Sequence, residues 1–314
     1  MRIRIVEDFT RFDGAAVVPP LDIAFTRAIA KCRASLVNIM IRFLRATPFL
    51  LVCGACLAAN TPIVVDYESG ALDSGIPGLA ATNAPAADAA YMVSPGAHGS
   101  QWAIAHKVML SDAAPGGGYY SNGSPRSESS TDLLKTTAGT YYNRTEATYT
   151  FSLSLRDWQS NAGSPDEDII WQFKHNGGRH DIALGVQRDK LWLHWDGNTN
   201  RQALVANVLA PGSSLSNEWI DFRFHVYWAD DATGWFTMDM RLPGETDYGH
   251  TVTKTGFSTF DPTPTVGKWG YLKWGMYRND GNLANGDPDT RIVYHDDITA
   301  TPLFFKDGFE KFVW

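Results

Sequence analysis

Hydrophobic and polar residues alternate with a period of two through much of the chain beyond residue 60. The clearest run is Ile220-Asp-Phe-Arg-Phe-His-Val-Tyr-Trp228, and the runs Ile169–His175, Lys190–Trp195 and Trp269–Arg278 alternate in the same way. This period is that of a β-strand with one face in the core and one in solvent. No comparable stretch of helical periodicity occurs after residue 60, so the pattern predicts a chain built from strands.

Turn-forming residues separate these runs, among them Asn176-Gly-Gly178, Asp196-Gly-Asn198 and Pro211-Gly-Ser213. Neither an internal repeat nor a linker divides the strands into groups. Many short strands with turns between them close naturally as two stacked antiparallel sheets. We therefore predict an all-β protein, a β-jelly-roll sandwich of two antiparallel sheets of the concanavalin-like kind, with a single domain over residues 60–314.

The segment before this domain follows a different pattern. Arg42 and Arg45 precede an apolar run over residues 46–58, and Ala58 and Ala59 provide small residues for cleavage. This is the layout of a secretory signal peptide, and a buried hydrophobic helix is the alternative. We predict a signal peptide at residues 40–59, an upstream extension at residues 1–39 that a misassigned start would explain, and a secreted, extracellular protein.

Charge and cysteine content limit the kinds of partner and of chemistry that the sequence allows. The 314 residues carry 27 Lys and Arg against 34 Asp and Glu, a net charge of −7, which argues against a nucleic-acid binder. Cys32, Cys53 and Cys56 all precede the predicted domain, which therefore has no disulfide, thiolate metal site or cysteine nucleophile. No apolar stretch reaches the ~18 residues of a membrane helix. We expect a monomer that binds neither nucleic acid nor, after signal removal, a membrane.

The candidate chemistry lies on the polar faces of the strands. In the run Trp269–Arg278, Tyr271, Lys273 and Tyr277 share one face, and Leu272, Trp274 and Met276 take the other. Two phenols and an amine on one exposed face suit a bound sugar chain, and an ordinary amphipathic strand is the alternative. Two further strands add the same kinds of polar group, namely Gln172 with Lys174 and Arg126 with Glu128.

Six segments occur in the order seen in jelly-roll polysaccharide lyases. They are Ala105–Val108, Pro125–Glu128, Trp171–Lys174, Glu218–Phe222, Tyr271–Arg278 and Tyr294–Ile298. The combination resembles polysaccharide lyase family 20, the glucuronan lyases, with the alginate lyases of family 7 and the heparin lyases of family 13 as more distant relatives. Alginate lyases of this fold carry Gln-x-His where this chain has Gln172-Phe-Lys174, which speaks against alginate.

The resemblance implies an enzyme that cleaves a uronate polymer, most simply β-1,4-glucuronan (polyglucuronate), by β-elimination. Removal of the weakly acidic C5 proton needs a base, a proton donor for the leaving oxygen, and groups that stabilise the extra charge. The resemblance implies that Tyr277 and His106 are the two proton carriers. It also implies that Arg126 and Gln172 stabilise the extra charge. The predicted substrate-binding residues are Lys273, Lys174, Tyr271, Glu128 and Arg278.

Carboxylates at the two ends of the domain suggest a metal. Asp66 and Glu68 lie near its start, and Asp296 and Asp297 near its end. The first and last strands of a jelly roll can be neighbours, and oxygen ligands of this kind suit Ca²⁺. We predict a structural Ca²⁺ site away from the chemistry, with two exposed acidic patches as the alternative.

Two other classes of function remain open. A non-catalytic carbohydrate-binding module or lectin would also be an aromatic-rich jelly roll, but it would not require Arg126, Gln172 and Tyr277 together. A glycoside hydrolase would need two carboxylates facing each other across a groove, and no strand carries a Glu-x-Asp-x-x-Glu run. Within the lyases, an alginate- or heparin-type enzyme is the alternative.

Overall fold

The chain divides into two compact units, Met1–Ala55 and Cys56–Trp314. The computed structural model describes residues of the second unit, namely 61–135, 137–158, 166–197, 199–206, 208, 215–261, 263, 269–279 and 283–303. The predicted signal peptide and upstream extension lie outside these described residues. Within them, no helix is long and apolar enough to cross a membrane.

Strands account for nearly all the regular structure of the described residues, and two short 3-10 turns at Ala97–Gly99 and Leu110–Asp112 interrupt them. Each of the four alternating runs of the sequence forms a strand. In chain order the strands are β1 (Ile63–Val65), β2 (Ala90–Val93), β3 (Ala103–Met109), β4 (Tyr120–Ser121), β5 (Ser124–Ser130), β6 (Thr140–Tyr141), β7 (Thr145–Arg156), β8 (Asp168–His175), β9 (His180–Gln187), β10 (Lys190–Trp195), β11 (Asn200–Val205), β12 (Ile220–Trp228), β13 (Gly234–Arg241), β14 (His250–Phe257), β15 (Gly270–Tyr277) and β16 (Thr290–Leu303).

The strands form two eight-stranded sheets. The back sheet has the order β14-β13-β12-β7-β16-β3-β2, with β1 paired to β16. The front sheet has the order β11-β10-β9-β8-β15-β5-β4, with β6 paired to β15. The strand pairs of both sheets are antiparallel. The protein is therefore the all-β jelly roll that the alternation predicts.

The core lies between the sheets and is rich in aromatic rings. Phe151 of the back sheet stacks on Trp171 of the front sheet, with ring centroids 3.6 Å apart. Phe173 and Trp274 of the front sheet and Phe222 of the back sheet are also fully buried. Each such side chain stabilises the fold by about 1.5–3 kcal/mol through burial alone. Because these residues face inward, the residues that alternate with them in the front sheet face outward.

Candidate active site

The register of three neighbouring strands gathers the predicted polar residues on the outer face of the front sheet. Lys273 of β15 lies opposite Gln172 of β8, and Tyr277 of β15 lies opposite Arg126 of β5. Directly paired residues of antiparallel strands point to the same side of the sheet. Glu128, two residues beyond Arg126, shares that side. These five residues therefore lie on one face of the front sheet.

Glu128 is the centre of this group. Its side chain is 2% exposed, and it accepts hydrogen bonds from the Lys273 ammonium and, at 2.5 Å, from Gln172 Nε2. Arg126 Nη1 lies 3.7 Å from the same carboxylate. Asn83, which sequence reasoning missed, places its Nδ2 3.5 Å from Glu128 Oε2. A buried carboxylate is tolerated when charge and hydrogen bonds compensate it, so Glu128 orients the cations rather than meeting an anionic sugar itself.

Tyr277 lies at the edge of this group. The guanidinium carbon of Arg126 is 4.5 Å from the centroid of the Tyr277 ring. The Tyr277 hydroxyl is 3.0 Å from Ser124 Oγ. The ring is only half-buried. A cation therefore lies against a phenol whose hydroxyl is held at the outer face of the sheet, which is an arrangement suited to proton transfer.

Lys174 and Tyr271 continue the same face one step along the strands, where they are paired with each other. The Lys174 ammonium donates a hydrogen bond to the Gly178 carbonyl oxygen. Burial lowers the pKa of Lys174, and the nearby Lys273 lowers it further. Burial raises the pKa of Tyr271, and the charges of Asp132 and Glu128 add to the rise. Tyr271 therefore stays protonated at neutral pH and can donate a hydrogen bond.

A family model described as "Polysaccharide lyase" matches residues 82–299 of the chain. The chain belongs to the polysaccharide lyase family. The matched region contains every residue of the outer-face group, from Asn83 to Tyr277. No curated protein matches the sequence. The family assignment confirms the coarse prediction of a lyase acting on a polysaccharide.

Solved structures with similar folds include three lyases. The endo-β-1,4-glucuronan lyase of the fungus Trichoderma reesei has 16% identity, with 71% of this chain and 95% of that chain covered, at a TM-score of 0.48. The marine alginate lyase of Aplysia kurodai has 9% identity, with 77% and 98% covered, at a TM-score of 0.48. The alginate lyase of Klebsiella pneumoniae has 15% identity, with 64% and 82% covered, at a TM-score of 0.42.

The structure does not bring His106 to the outer face of the lyase domain. His106 lies on β3 of the back sheet and is fully buried between the sheets. Its Nε2 is 2.9 Å from the hydroxyl of Ser129, which alternates with Glu128 and therefore faces inward. Burial lowers the pKa of His106 to about 4. A neutral imidazole in the core cannot reach a sugar outside the front sheet, so its predicted role as a proton carrier does not fit.

Arg278 is likewise not available to a substrate. Its side chain is fully buried and donates hydrogen bonds to Asp287 Oδ2 at 2.5 Å and to the Asp289 carbonyl oxygen at 2.7 Å. Strand alternation explains this position, because Arg278 shares the inward parity of Met276 while Tyr277 faces outward. The prediction that Arg278 binds substrate is wrong, and its guanidinium belongs to a buried ionic network.

Gly275 lies between Lys273 and Tyr277 with a φ of +130°, where the pairing of β15 with β8 shifts register. A β-carbon built at this position would lie 2.3 Å from the Ser127 carbonyl oxygen and 3.0 Å from the His106 ring. Residues other than glycine rarely adopt this backbone conformation. The glycine is therefore required by the backbone conformation and by close packing.

The outer face of the lyase domain carries a further polar pair, Glu167 and His194, that sequence reasoning missed. His194 Nε2 lies 2.6 Å from Glu167 Oε1. His194 faces outward because Leu191 and Leu193, which alternate with it on β10, are fully buried in the core. The alternation of hydrophobic and polar residues along β10 therefore indicates that His194 faces outward. Its place in the sheet, two strands from Gln172, depends on pairing that one sequence does not reveal.

The four predicted metal ligands lie at neighbouring strands, as expected, because β1 pairs with β16. Glu68 Oε1 accepts hydrogen bonds from the amides of Gln101 and Trp102, at 2.9 and 3.1 Å. Asp296 Oδ2 accepts one from the Ala97 amide at 2.8 Å, and burial raises the pKa of Asp296 to about 6.

Within the described ranges, no group of three or more His, Cys, Asp or Glu side chains forms a metal site. Backbone amides donate hydrogen bonds to carboxylate oxygens that a metal would need as ligands. The described arrangement therefore does not by itself form a ligand shell for Ca²⁺. The calcium site stays a prediction.

Proposed function

We propose that the protein is a secreted lyase that cleaves a uronate polymer, with β-1,4-glucuronan as the substrate, by β-elimination. The observation that carries the proposal is the Glu128-centred group. There a buried carboxylate holds Lys273, Gln172 and Arg126 on the outer face of the front sheet beside Tyr277. The signal-peptide layout of residues 40–59 supports secretion.

The residues suit the charges of the reaction. The carboxylate of a bound uronate meets Arg126 and Lys273, whose positions are set by Glu128. As the C5 proton leaves, negative charge builds on the sugar carboxylate, and these preorganised cations stabilise the transition state more than the ground state. The amide of Gln172 adds a polar group on the same side. The group therefore lowers the cost of ionising a weak carbon acid.

With His106 in the core, proton transfer is assigned to Tyr277. Its phenolate form takes the proton from C5, the electron pair of that C–H bond forms the C4–C5 double bond, and the C4–O bond breaks. The proton then passes from the phenol to the leaving oxygen, which restores the starting form of Tyr277. One residue at the edge of the group thus serves as base and then as acid.

The choice of glucuronan rests on the sequence resemblance and on Lys174. This lysine stands where alginate lyases of the fold carry a histidine, and its ammonium is held by the Gly178 carbonyl oxygen. The fixed cation gives this part of the face a chemistry different from that of an imidazole. A substrate with a different arrangement of carboxylates is therefore expected here.

The experiment is an incubation of the purified protein with glucuronan, alginate and heparin. The unsaturated uronate product is followed by its ultraviolet absorbance. Absorbance that rises with glucuronan alone supports the proposal. A rise with alginate or heparin alone would replace the substrate and keep the reaction, while binding of a polymer without any rise would favour a carbohydrate-binding module.

A further inference from the structure

The outer face of the front sheet continues beyond the Glu128-centred group across three more strands. Gln172 of β8 lies opposite Ala183 of β9, Ala183 opposite His194 of β10, and His194 opposite Arg201 of β11. Strands are spaced about 4.8 Å apart, so Arg201 lies roughly 14 Å from Gln172 across the sheet. Ala183 is fully buried and His194 is 4% exposed, so a polymer that passes over this row meets the side chains that cover them, Glu167 among them. A polymer that crosses the strands at Gln172 can follow the row.

A partly exposed indole ring lies beside this row. Trp192 of β10 lies opposite Gly185 of β9 and Ala203 of β11. It faces outward because its neighbours along the strand, Leu191 and Leu193, are buried in the core. The Glu167 side chain fills the space above Gly185, so the open border of the ring lies beside Ala203, which is exposed. An aromatic ring in this position offers a sugar an apolar edge.

Arg201 is held flat against that ring. Its guanidinium carbon lies 4.4 Å from the Trp192 ring centroid, and its Nη1 donates a hydrogen bond to Gln187 Oε1 at 3.3 Å. Lys190 adds a second cation 5.9 Å from the same ring. Arg201 is exposed to solvent. Stacking fixes the plane of the guanidinium fork, and a fixed fork suits bidentate binding of a carboxylate.

We infer that Arg201 and Trp192 form a remote subsite for one anionic sugar of the polymer whose cleavage is proposed above. Arg201 pairs with the carboxylate of that sugar, and the Trp192 edge contacts its ring. The inference rests on the proposed function, because the sugar at this subsite belongs to the chain that crosses the Glu128-centred group. The subsite contributes binding energy far from the bond that breaks, so it affects affinity for long chains and leaves the chemical step unchanged.

The test compares Arg201→Gln with a matched control, Arg223→Gln. Arg223 is also an exposed arginine stacked on an aromatic ring, 4.5 Å from the centroid of Tyr248, but it lies on β12 of the back sheet. Initial rates are measured for the full-length protein on long polymer and on the shortest oligomer that is cleaved. For Arg201→Gln we expect KM for long polymer to rise by about threefold to fivefold, the upper range for an exposed ion pair.

In the same variant, kcat should change by less than about twofold, because the missing contact is the same in ground and transition states. KM for the shortest oligomer should not change, and Arg223→Gln should behave as the unmodified protein does with both substrates. Equal KM values for Arg201→Gln and Arg223→Gln on long polymer would overturn the inference. An equal rise of KM for the short oligomer would overturn it too, since the contact would then not be remote.

Failure of the proposed function gives a different result. In that case the unmodified protein cleaves no uronate polymer at all. Binding isotherms of the same two variants for long polymer then decide on the subsite alone. Weaker binding by Arg201→Gln than by Arg223→Gln would support the subsite. Equal binding by the two variants would contradict it.

Discussion

A buried carboxylate such as Glu128 has consequences for every residue around it. Removing one partner of a buried ion pair leaves the other charge without compensation, which is far more costly than removing a surface pair. Glu128 therefore links stability and chemistry at one position. Its partners Lys273 and Arg126 depend on it for orientation, and Tyr277 depends on Arg126.

The first prediction concerns Tyr277→Phe, which removes only the hydroxyl. If Tyr277 transfers the proton, kcat should fall by about 10²–10⁴-fold with little change in KM. Steady-state rates on the cleaved polymer measure both. The control is Tyr248→Phe, because Arg223 stacks on Tyr248 at the same 4.5 Å that separates Arg126 from Tyr277. A Tyr277→Phe enzyme with near-normal turnover would show that the Tyr277 ring only lines the site and does not transfer the proton.

The second prediction concerns Glu128→Gln. It should lower the free energy of unfolding by about 3–5 kcal/mol, because the buried Lys273 ammonium loses its counter-charge. The double variant Glu128→Gln/Lys273→Met should recover much of that loss while staying inactive. Denaturant unfolding measures the first effect and ultraviolet product release the second.

Asp239→Asn serves as the control for that experiment, since Asp239 pairs with exposed Arg223 at 2.8 Å. It should cost about 1 kcal/mol or less. Equal costs for Glu128→Gln and Asp239→Asn would contradict the view that Glu128 is a buried organiser. Recovery of activity in the double variant would contradict its role in placing Lys273.

At the scale of strands, alternation predicts most of what is observed. It identifies β8, β10, β12 and β15 and assigns their inner and outer faces, because apolar residues at every second position must enter the core. The same rule indicates that His106 faces the core, because its neighbours at two-residue spacing, Ile104 and Val108, are both buried. The functional expectation placed on His106 came from resemblance and disagreed with the parity of its own strand.

What alternation cannot supply is which strands become neighbours. Arg201 and His194 share the outer face with the Glu128-centred group only because β11 and β10 extend the front sheet. Pairing between strands depends on closure of the whole sandwich, and single-strand patterns carry no record of it. Glu128 shows the same limit, since its burial beneath Lys273 and Gln172 arises from three strands together.

The third prediction belongs to the pair of strands β3 and β16. His106 and His295 face each other in the core with ring centroids 6.1 Å apart. Burial lowers the pKa of His106 to about 4, and burial with the nearby His106 lowers that of His295. Because the unfolded chain binds these protons near pH 6.5 and the folded chain does not, stability present above pH 6.5 is lost as pH falls towards 4.

Between pH 7 and pH 5 the His106 share of this loss is on the order of 2 kcal/mol. Denaturant unfolding of the unmodified protein and of His106→Gln at both pH values measures it, and the variant should lose less. Asp296, whose pKa burial raises to about 6, acts in the opposite direction in both proteins. Identical losses in the two proteins would show that His106 becomes protonated without unfolding.

At the scale of the whole molecule, charge is distributed unevenly. The chain has a net charge of −7, yet Arg126, Lys273, Lys174 and Arg201 share the outer face of the front sheet. Set against the carboxylates of Glu128 and Glu167, these four cations leave the outer face locally positive, which attracts a polyanion. Association with a uronate polymer should therefore weaken as ionic strength rises.

The fourth prediction tests the calcium site predicted from the carboxylates near the start and the end of the domain. If Asp66, Glu68, Asp296 and Asp297 bind Ca²⁺, added calcium should raise the melting temperature, because a ligand that binds only the folded state stabilises it. A chelator should reverse the rise, and Asp66→Asn should abolish it. Differential scanning calorimetry with elemental analysis of the purified protein measures both. A melting temperature indifferent to calcium and chelator, with no metal bound, would remove the site.

Gly275 limits how this enzyme can be altered. Its hydrogen side chain lies where the strand carrying Lys273 and Tyr277 touches the backbone of Ser127 and the ring of His106. A substitution there would disturb the interior and the reactive face in a single step, so neither property could be adjusted without the other. The edge strand β11 and its neighbour β10 carry no such constraint at Arg201 and Trp192. Directed changes of polymer preference should therefore accumulate at that margin, while the centre of the sheet stays fixed.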